Sequence, residues 1–257
     1  EALQQGVERW GEGDLTRRLP EDGRDEVAFL AQRFNIAAER VQTLLQSQKA
    51  LLANASHELR SPLTRIRMGL ELMGERPSAT AREEIARNIH ELDQLIDEIL
   101  LASRLEASPI DLGTLEPVDL VGLCAEECAQ IGAEFDVPAG CSSLVVPGVA
   151  KLLRRVVRNL LENARRHAAG QVSLSLQPDG RQAVIRVCDR GPGVPPEQRE
   201  RIFEPFYRLP GASERDGGVG LGLALVKSIT TRHSGSVRCE DRPGGGACFV
   251  VELPAAA

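Results

Sequence analysis

The chain has 257 residues, of which 42% are hydrophobic and 3% aromatic, and its formal net charge is -6. A chain of this length can bury more than one core, so we expect two or three domains. The acidic balance and the dispersed basic residues argue against a general nucleic-acid-binding protein, because such proteins neutralise phosphates with clustered lysine and arginine.

The six cysteines form no Cys-x-x-Cys pair and lack histidine partners at zinc-site spacing. We therefore expect reduced, mostly buried thiols. No run of residues approaches the roughly 20 apolar positions that cross a bilayer, and no signal peptide is recognisable. The sequence opens without methionine and inside a repeating pattern. We expect part of a longer protein, in which any membrane segment precedes residue 1.

Apolar residues recur in steps of three and four through the first part of the chain, which is the period of a helix in a bundle. The pattern predicts a helix over about residues 25–74, a break at 74–78 and a second helix. The first seam comprises Val27, Ala31, Phe34, Ala38, Val41, Leu45, Gln48, Leu52, Ala55, Leu59, Pro62, Ile66, Gly69 and Met73, and the second comprises Ile85, Ile89, Leu92, Ile96 and Ile99. One hairpin cannot cover both apolar faces, so two copies are expected to form a four-helix bundle. The alternative is an intramolecular hairpin packed on the C-terminal domain.

His57 lies two positions from both Ala55 and Leu59, about 200° around the helix, and should point into solvent. A neutral imidazole leaves one ring nitrogen free to attack phosphorus, and Glu58 could accept a hydrogen bond from the other. Pro62 removes a helix hydrogen bond and should bend or loosen the helix nearby. For an isolated histidine, an ordinary exposed side chain would be the better interpretation.

After Pro109, apolar alternation replaces the heptads and predicts strands at residues 172–177, 183–189, 236–241 and 247–253. Helical patterns cover residues 119–133, 149–168 and 220–234. These elements predict a mixed sheet covered by helices on one face.

Two groups of residues in this region could bind a nucleotide. Asn159 and Asn163 are four apart on one helix, where their amide oxygens could present ligands to Mg²⁺. Asp189 ends a strand, and its carboxylate could accept the exocyclic amine of adenine, while Gly191 and Gly193 let the chain turn close to the ring. Taken alone, the amides could be helix caps and the Asp-Gly run an ordinary turn.

Gly218, Gly220 and Gly222 open the next helix, so backbone amides there could bind a triphosphate. The spacing fits neither the dinucleotide fingerprint nor a P-loop, and a glycine-rich hinge is the alternative. Residues 194–217 are polar and proline-interrupted, which predicts a mobile lid. Within them, the run F-E-P-F-Y at 203–207 is either a docking element or a local hydrophobic cluster.

Four motifs occur in one order: N-A-S-H-E-L-R-S-P-L at residues 54–63, N-L-L-E-N-A at 159–164, D-R-G-P-G at 189–193 and G-V-G-L-G at 218–222. Together they resemble a sensor histidine kinase of the two-component type. The resemblance implies a multidomain fold, α and α/β. Dimeric helical hairpins would form a four-helix bundle, followed by an α/β two-layer sandwich of the Bergerat (GHKL) ATP-binding type.

The domains implied by this resemblance divide the chain in three. Residues 1–48 resemble a partial HAMP signalling module and its connecting coiled coil, for which a stalk without a signalling role is the alternative. Residues 49–108 would be the dimerisation and histidine-phosphotransfer hairpin. Residues 109–257 would be the ATP-binding catalytic domain.

The resemblance also implies roles for individual residues. His57 would accept the γ-phosphoryl group of ATP beside Glu58. Ser61 stands where the family commonly has Thr or Asn, which puts the phosphatase activity toward a partner in more doubt than the kinase activity. Asn163 would be the main Mg²⁺ ligand, with Asn159 in support. The other implied nucleotide-binding residues are Arg166, His167, Asp189, Gly191, Gly193, Gly218, Gly220, Gly222 and Leu223.

The partners implied are a second copy of the chain and the receiver domain of a response regulator, docked near Arg65, Met68 and Leu72. No nucleic acid is expected. The resemblance places the chain in the cytoplasmic part of a bacterial inner-membrane sensor that is anchored upstream of residue 1. The rival interpretations are a scaffold that binds ATP without catalysis and an ATPase-type conformational machine.

Overall fold

The computed structural model describes residues 10, 16, 18–21, 26–73, 79–107, 113–168, 170–210 and 218–255. The chain divides into two compact units, Glu1–His57 and Glu58–Ala257. None of the helices in the described parts combines the length and apolar character that a bilayer crossing requires.

Two long helices lie in the described part of the chain before residue 108, α1 at Glu26–Met73 and α2 at Ala79–Ala107. Their limits agree with the helical pattern, and the expected break at 74–78 lies outside the described residues. Helix α1 continues without interruption through Pro62, which is buried. The proline therefore does not end the helix beside His57.

In the first unit, a short segment before α1 packs along that helix through polar contacts. The buried Asn35 amide accepts a hydrogen bond from the Leu19 N–H at 2.8 Å and donates one to the Leu19 carbonyl at 2.9 Å. Arg18 donates to Gln42 at 2.8 Å. These contacts satisfy backbone groups that would otherwise be buried without partners.

In the single chain, the seam is covered at some positions and exposed at others. On α1, Leu51 is 4% exposed while Leu52 is 57% exposed, and on α2, Leu95 is 3% exposed while Ile89 is 46% exposed. A seam that faces a second copy is exposed in one copy alone, so the bundle seam stays a prediction. Ala31, Ala38, Ala55 and Pro62 are buried as predicted.

Within the second unit, the end of α1 packs against α2. A β-carbon added at Gly69 would lie 3.0 Å from Ile85 Cγ1, so the backbones approach closely there. Arg65 bonds Asn88 Oδ1 at 2.6 Å and Glu91 Oε2 at 2.7 Å. The helical hairpin is therefore formed as predicted.

The α/β part contains a five-stranded mixed sheet in the order β2-β4-β5-β7-β6. Among the described strands of this sheet, β2 and β4 pair in parallel and the other neighbours pair antiparallel. A separate antiparallel pair joins β1 and β3. The strands are β1 Glu116–Asp119, β2 Glu134–Asp136, β3 Val145–Gly148, β4 Ser173–Asp179, β5 Gln182–Cys188, β6 Ser236–Asp241 and β7 Ala247–Pro254.

Three helices accompany this sheet: α3 Leu120–Ile131, α4 Ala150–His167 and α5 Gly222–Arg232. All four predicted strands and all three predicted helices are present. The first three strands were not predicted, because segments of three or four residues are too short to show alternation. The core combines one stripe of α4 with one face of the sheet, including Leu153, Val157, Leu160, Leu161, Leu174, Ile185, Phe249 and Val251.

The cysteine prediction is wrong for one pair. Cys188 and Cys248 face each other on β5 and β7 and form a disulfide, although 60 residues separate them in sequence. Register partnership between distant strands cannot be read from local pattern, and this is why the pair was missed. Of the four free cysteines, Cys124, Cys128 and Cys239 are buried as expected.

A buried carboxylate joins α3 to α4. The Glu127 side chain is 2% exposed and accepts hydrogen bonds from Arg154 at 2.9 Å and from Arg158 at 2.8 Å. Burial raises the pKa of Glu127, but the bonds from Arg158 and Arg154 outweigh burial, so the net pKa is lowered. Glu126 also pairs with Arg154, but its side chain is 63% exposed.

We predict that Glu127→Gln lowers the free energy of unfolding at pH 7 by about 1–3 kcal/mol. The matched exposed change, Glu126→Gln, should cost less than about 1 kcal/mol. Because the folded-state pKa of Glu127 is depressed, its contribution is complete above the unfolded pKa of about 4.3 and declines as pH falls below that value. Urea unfolding of both variants between pH 3 and 7 measures this; equal losses, or a Glu127 effect independent of pH, would contradict it.

Candidate nucleotide site

A cavity of about 710 Å³ lies beside the end of β5 and the start of β7 in the second unit. It falls within the size range of sites for drug-sized and cofactor-sized ligands. Every residue predicted to bind the nucleotide lies on its wall except Gly191: these are Asn159, Asn163, Arg166, His167, Asp189, Gly193, Gly218, Gly220, Gly222 and Leu223. The fold thus collects residues that are up to 64 positions apart, from Asn159 to Leu223.

Asp189 follows the last residue of β5, and the first residue of β7 beside it fixes its position. It is 3% exposed. Its Oδ1 accepts hydrogen bonds from Gly191 N at 2.7 Å and Ala247 N at 3.3 Å, and its own N–H donates to the Ala247 carbonyl at 2.9 Å. The backbone thus fixes the carboxylate at the cavity wall, where it can act as an acceptor for a ligand amine.

Gly191 has a packing role. A β-carbon at this position would come 2.5 Å from the His167 carbonyl oxygen and 3.0 Å from Asp189 Oδ1. The absence of a side chain therefore lets the turn after β5 lie against the end of α4. Gly193, which does line the cavity, has φ of 77°, a conformation that favours glycine.

The two amides of α4 differ in environment. Asn159 is 5% exposed, and its Nδ2 donates to the Gly222 carbonyl at 3.0 Å. It therefore joins α4 to the first residue of α5. Asn163, one turn later, is half-buried on the cavity wall, where its amide oxygen is accessible to a ligand.

The glycine run before α5 adopts conformations that side chains would obstruct. Gly218 and Gly220 have φ of 136° and 78°. A β-carbon at Gly218 would overlap the Arg166 guanidinium, and one at Gly220 would lie 2.8 Å from the Phe206 carbonyl carbon. The Phe206 N–H donates to the Gly220 carbonyl at 3.0 Å. The backbone here therefore lies in close contact with Arg166 and Phe206. Helix α5 begins at Gly222, two residues later than predicted.

The first half of the predicted lid is packed into the domain. Phe203 is buried and meets Phe249 edge to face with 6.4 Å between ring centroids. Tyr207 donates its hydroxyl hydrogen to Gln198 and lies under the Arg201 guanidinium at 4.5 Å. For Phe203, the hydrophobic-cluster interpretation is correct. Residues 211–217 of the predicted lid lie outside the described residues.

Two residues that shape this region were not predicted from the sequence: Glu98 on the cavity wall and His233 between α4 and α5. Glu98 of α2 lies on the cavity wall and accepts a hydrogen bond from Arg155 Nη2 at 2.8 Å. Burial raises the pKa of Glu98, and the charge of Arg155 only partly opposes that effect. Nothing in the sequence distinguishes Glu98 from the other acidic residues of an amphipathic helix.

The second missed residue is His233, which connects the start of one helix to the end of another. Its Nε2 accepts a hydrogen bond from the Val149 N–H at 3.1 Å, and its Nδ1 donates to the Ile229 carbonyl at 2.8 Å. The buried ring therefore caps the start of α4 from the end of α5. These two bonds require the neutral Nδ1–H tautomer.

The predicted phosphoacceptor residues lie on α1. His57 is exposed and Glu58 is half-buried. Ser61 is exposed, and its Oγ accepts a hydrogen bond from Arg65 Nη1 at 3.0 Å. The exposure of His57 agrees with the expected outward direction; its chemical role stays a prediction.

Comparison with known proteins identifies three matching families. The model described as "Histidine kinase-, DNA gyrase B-, and HSP90-like ATPase" matches residues 148–257. The "His Kinase A (phospho-acceptor) domain" matches residues 47–108, and the HAMP domain matches residues 1–43. The families occur in the order of the sequence motifs.

Similar proteins match along the whole chain. Sensor protein RstB of Escherichia coli (strain K12) is 38% identical over 258 residues, which is 98% of this chain and 59% of RstB. The signal transduction histidine-protein kinase/phosphatase MprB of Mycobacterium sp. (strain KMS) is 34% identical over 270 residues, which is 98% of this chain and 52% of MprB. The chain spans little more than half the length of these relatives.

Among solved structures, full-length ShkA in complex with AMPPNP is 30% identical, with a TM-score of 0.56. The match covers 81% of this chain and 46% of ShkA. The three family matches and the similar proteins indicate the same family. The fold agrees with them, because a helical region is followed by an α/β domain with a cavity beside the ends of β5 and β7. The chain belongs to the sensor histidine kinases of two-component systems.

Proposed function

We propose that this chain is an ATP-dependent protein-histidine kinase that phosphorylates His57 and passes the phosphoryl group to an aspartate of a response-regulator receiver domain. The observation that carries the proposal is the convergence of Asp189, Asn163 and the glycine run on one cavity wall. Asp189 would accept a hydrogen bond from adenine, Asn163 would bind the metal ion, and the backbone amides of the glycine run would bind the phosphate oxygens. ShkA was solved in complex with AMPPNP, which supports a nucleotide as the ligand.

The cavity suits an adenine nucleotide at both ends. The fixed Asp189 carboxylate accepts a hydrogen bond from an exocyclic amine, and a keto group in the same place would be repelled. At Gly220 the backbone of Phe206 leaves no room for a side chain, and at Gly218 the φ of 136° disfavours one, so the bare backbone can approach phosphates. The start of α5 adds amides and the positive end of the helix dipole. Arg166 supplies a full charge at the same wall.

Two amide side chains on α4 fit a Mg²⁺ site, because Mg²⁺ in proteins typically binds oxygen donors and retains several waters. Asn163 would hold the ion through its amide oxygen. Asn159 would support it indirectly, because its amide N–H fixes the adjoining helix start. When bound, Mg²⁺ neutralises phosphate charge and orients the γ-phosphate for in-line attack.

The phosphoryl transfer needs an accessible nucleophile. His57 is exposed, and its neutral imidazole can attack the γ-phosphorus, forming an N–P bond as the bond to the β–γ bridging oxygen breaks. The ADP oxygen receives the electron pair. Glu58 would accept a hydrogen bond from the second ring nitrogen and stabilise the imidazolium charge that develops.

The proposed phosphatase activity depends on Ser61. Its hydroxyl is engaged by Arg65, which is itself held by Asn88 and Glu91 of α2. Ser61 could still orient water toward a phosphorylated regulator, and the name of MprB as a kinase/phosphatase supports this activity. Arg65 and the exposed Met68 would belong to the docking surface. The side chain of Leu72 lies outside the described ones.

The proposed homodimer is supported by an apolar face that the single hairpin leaves uncovered. Large apolar side chains remain exposed on both helices, namely Leu52, Leu63 and Leu70 on α1 and Ile89, Ile96 and Leu100 on α2. A row of this size in water favours association. A second hairpin would bury it in a four-helix bundle. The HAMP match supports attachment of the full-length protein to the bacterial inner membrane, with this part in the cytoplasm.

We predict that His57→Ala abolishes incorporation of phosphate from γ-labelled ATP while nucleotide affinity changes by less than about twofold. The imidazole is the acceptor, whereas the binding residues lie on the cavity wall. The label on the wild type should be acid-labile and alkali-stable. His90→Ala, a change of an exposed histidine on α2, is the matched control and should retain the label. Persistent label in His57→Ala would contradict the assignment.

We predict that Asp189→Asn weakens binding of MgATP by at least about tenfold, because the amide nitrogen meets the amine of adenine with a second donor. Asp136→Asn, on the exposed edge strand β2, should leave the affinity unchanged. Calorimetry on folded variants measures both. Unchanged affinity in Asp189→Asn would show that adenine binds elsewhere.

The continuity of α1 predicts that the HAMP segment and the kinase are coupled through helix phase. Deleting the heptad of residues 42–48 keeps the apolar face nearly in register, whereas deleting residues 42–45 rotates it by about 40°. Autophosphorylation should be near normal in the first variant and strongly changed in the second. Equal activities in two folded dimers would mean that α1 does not transmit the signal.

A further inference from the structure

The disulfide between Cys188 and Cys248 lies one residue from the proposed adenine site. Cys188 ends β5, and Cys248 is its direct partner on β7, with 4.1 Å between their Cα atoms. The next residue on β5 is Asp189, and the preceding residue on β7 is Ala247. Both of these neighbours line the cavity.

Two hydrogen bonds between Asp189 and Ala247, the neighbouring rung of the β5–β7 pair, position the Asp189 carboxylate. The Asp189 N–H donates to the Ala247 carbonyl at 2.9 Å, and the Ala247 N–H donates to Asp189 Oδ1 at 3.3 Å. The disulfide therefore holds together the strand ends whose separation decides where this carboxylate points.

We propose that Cys188 and Cys248 form a reversible thiol–disulfide site that controls the affinity of the cavity for nucleotide. The proposal rests on the proposed function, because it names the regulation of that same site. Its reactants are a low-molecular-weight thiol and the corresponding disulfide. Two thiols reduce the pair: one thiolate attacks a protein sulfur, a mixed disulfide forms, and a second thiolate releases the free dithiol and one small-molecule disulfide.

The location of the pair permits this exchange. Val187 and Phe249 are buried among the core residues beneath the helices, so the alternation along each strand turns Cys188 and Cys248 to the opposite face of the sheet. Cys188 is only half-buried there. The same face carries the ion pairs of Arg186 with Glu240 and of Arg238 with Glu252. A polar thiol can therefore approach Cys188 from solvent.

The buried free cysteines are poor competitors for this chemistry. Cys124, Cys128 and Cys239 are buried. Burial raises the pKa of Cys128 and of Cys239 to about 11, and burial raises the pKa of Cys124 further. Thiolates are the reactive form. These three thiols stay protonated at neutral pH.

Reduction should disturb the carboxylate for a steric reason. Bonded sulfurs lie about 2.05 Å apart, whereas atoms in van der Waals contact lie about 3.5 Å or more apart. Reduction removes the bond that holds the Cα atoms of Cys188 and Cys248 at 4.1 Å. The thiols then move apart by side-chain rotation and by movement of the strands, and strand movement opens the neighbouring rung of Asp189 and Ala247. The 3.3 Å bond from Ala247 N to Asp189 Oδ1 is already long and is the first to be lost. Loss of one such bond corresponds to roughly 2- to 10-fold weaker binding.

The test uses the whole chain equilibrated in buffers of oxidised or reduced glutathione. Alkylation with N-ethylmaleimide under denaturing conditions, followed by mass spectrometry, should count four free thiols after oxidation and six after reduction, given the six cysteines and one disulfide. Calorimetry should then show roughly 2- to 10-fold tighter binding of MgATP to the oxidised protein.

Two variants separate this site from other effects of the buffer. The double variant Cys188→Ser with Cys248→Ser should bind MgATP with the affinity of the reduced wild type in both buffers. Cys141→Ser, which removes the half-buried cysteine outside the pair, should respond like the wild type.

Six alkylated thiols after oxidation, or equal affinities of the oxidised and reduced proteins, would overturn the proposal. A redox response that persists in the double variant would overturn it too. If neither form bound MgATP, the proposed function would fail, and regulation of nucleotide affinity would fail with it. The thiol count would then still decide whether the reversible pair exists.

Discussion

The site depends on the close approach of α4 and α5, which a few polar bonds fix. Asn159 donates to the first residue of α5, and His233 at the end of α5 accepts from the N–H that precedes α4. Both side chains are buried, so their loss would leave polar groups without partners in the core. Because these bonds hold both helices, Asn163 and the glycine run face one cavity.

The opposite wall of the cavity depends on the sheet. Asp189 belongs to no helix, and its carboxylate is oriented by backbone groups at the ends of β5 and β7. The segment with Phe203 and Tyr207 connects the two walls, since Phe203 packs on Phe249 of β7 and Phe206 bonds to Gly220. A change in the strand ends or in this segment should therefore alter nucleotide binding without touching α4.

The sequence predicted structure correctly where the conformation or chemistry of one position depends on its own residue type and its near neighbours in the chain. The glycines at 218 and 220 and the aspartate after β5 indicated correct positions on the cavity wall, and apolar periodicity indicated α4. It was uninformative where distant elements meet. Glu98, His233 and the Cys188 pair take their environment from strands and helices far along the chain.

In the proposed reaction, the cavity delivers a phosphoryl group from ATP to one histidine of α1. The most direct measurement is identification of the modified residue in the wild-type chain after incubation with MgATP. Peptides prepared at alkaline pH, where phosphohistidine survives, can be sequenced by tandem mass spectrometry. We expect phosphate on His57 alone. Phosphate on another residue, or hydrolysis of ATP with no phosphohistidine at all, would contradict the proposed reaction.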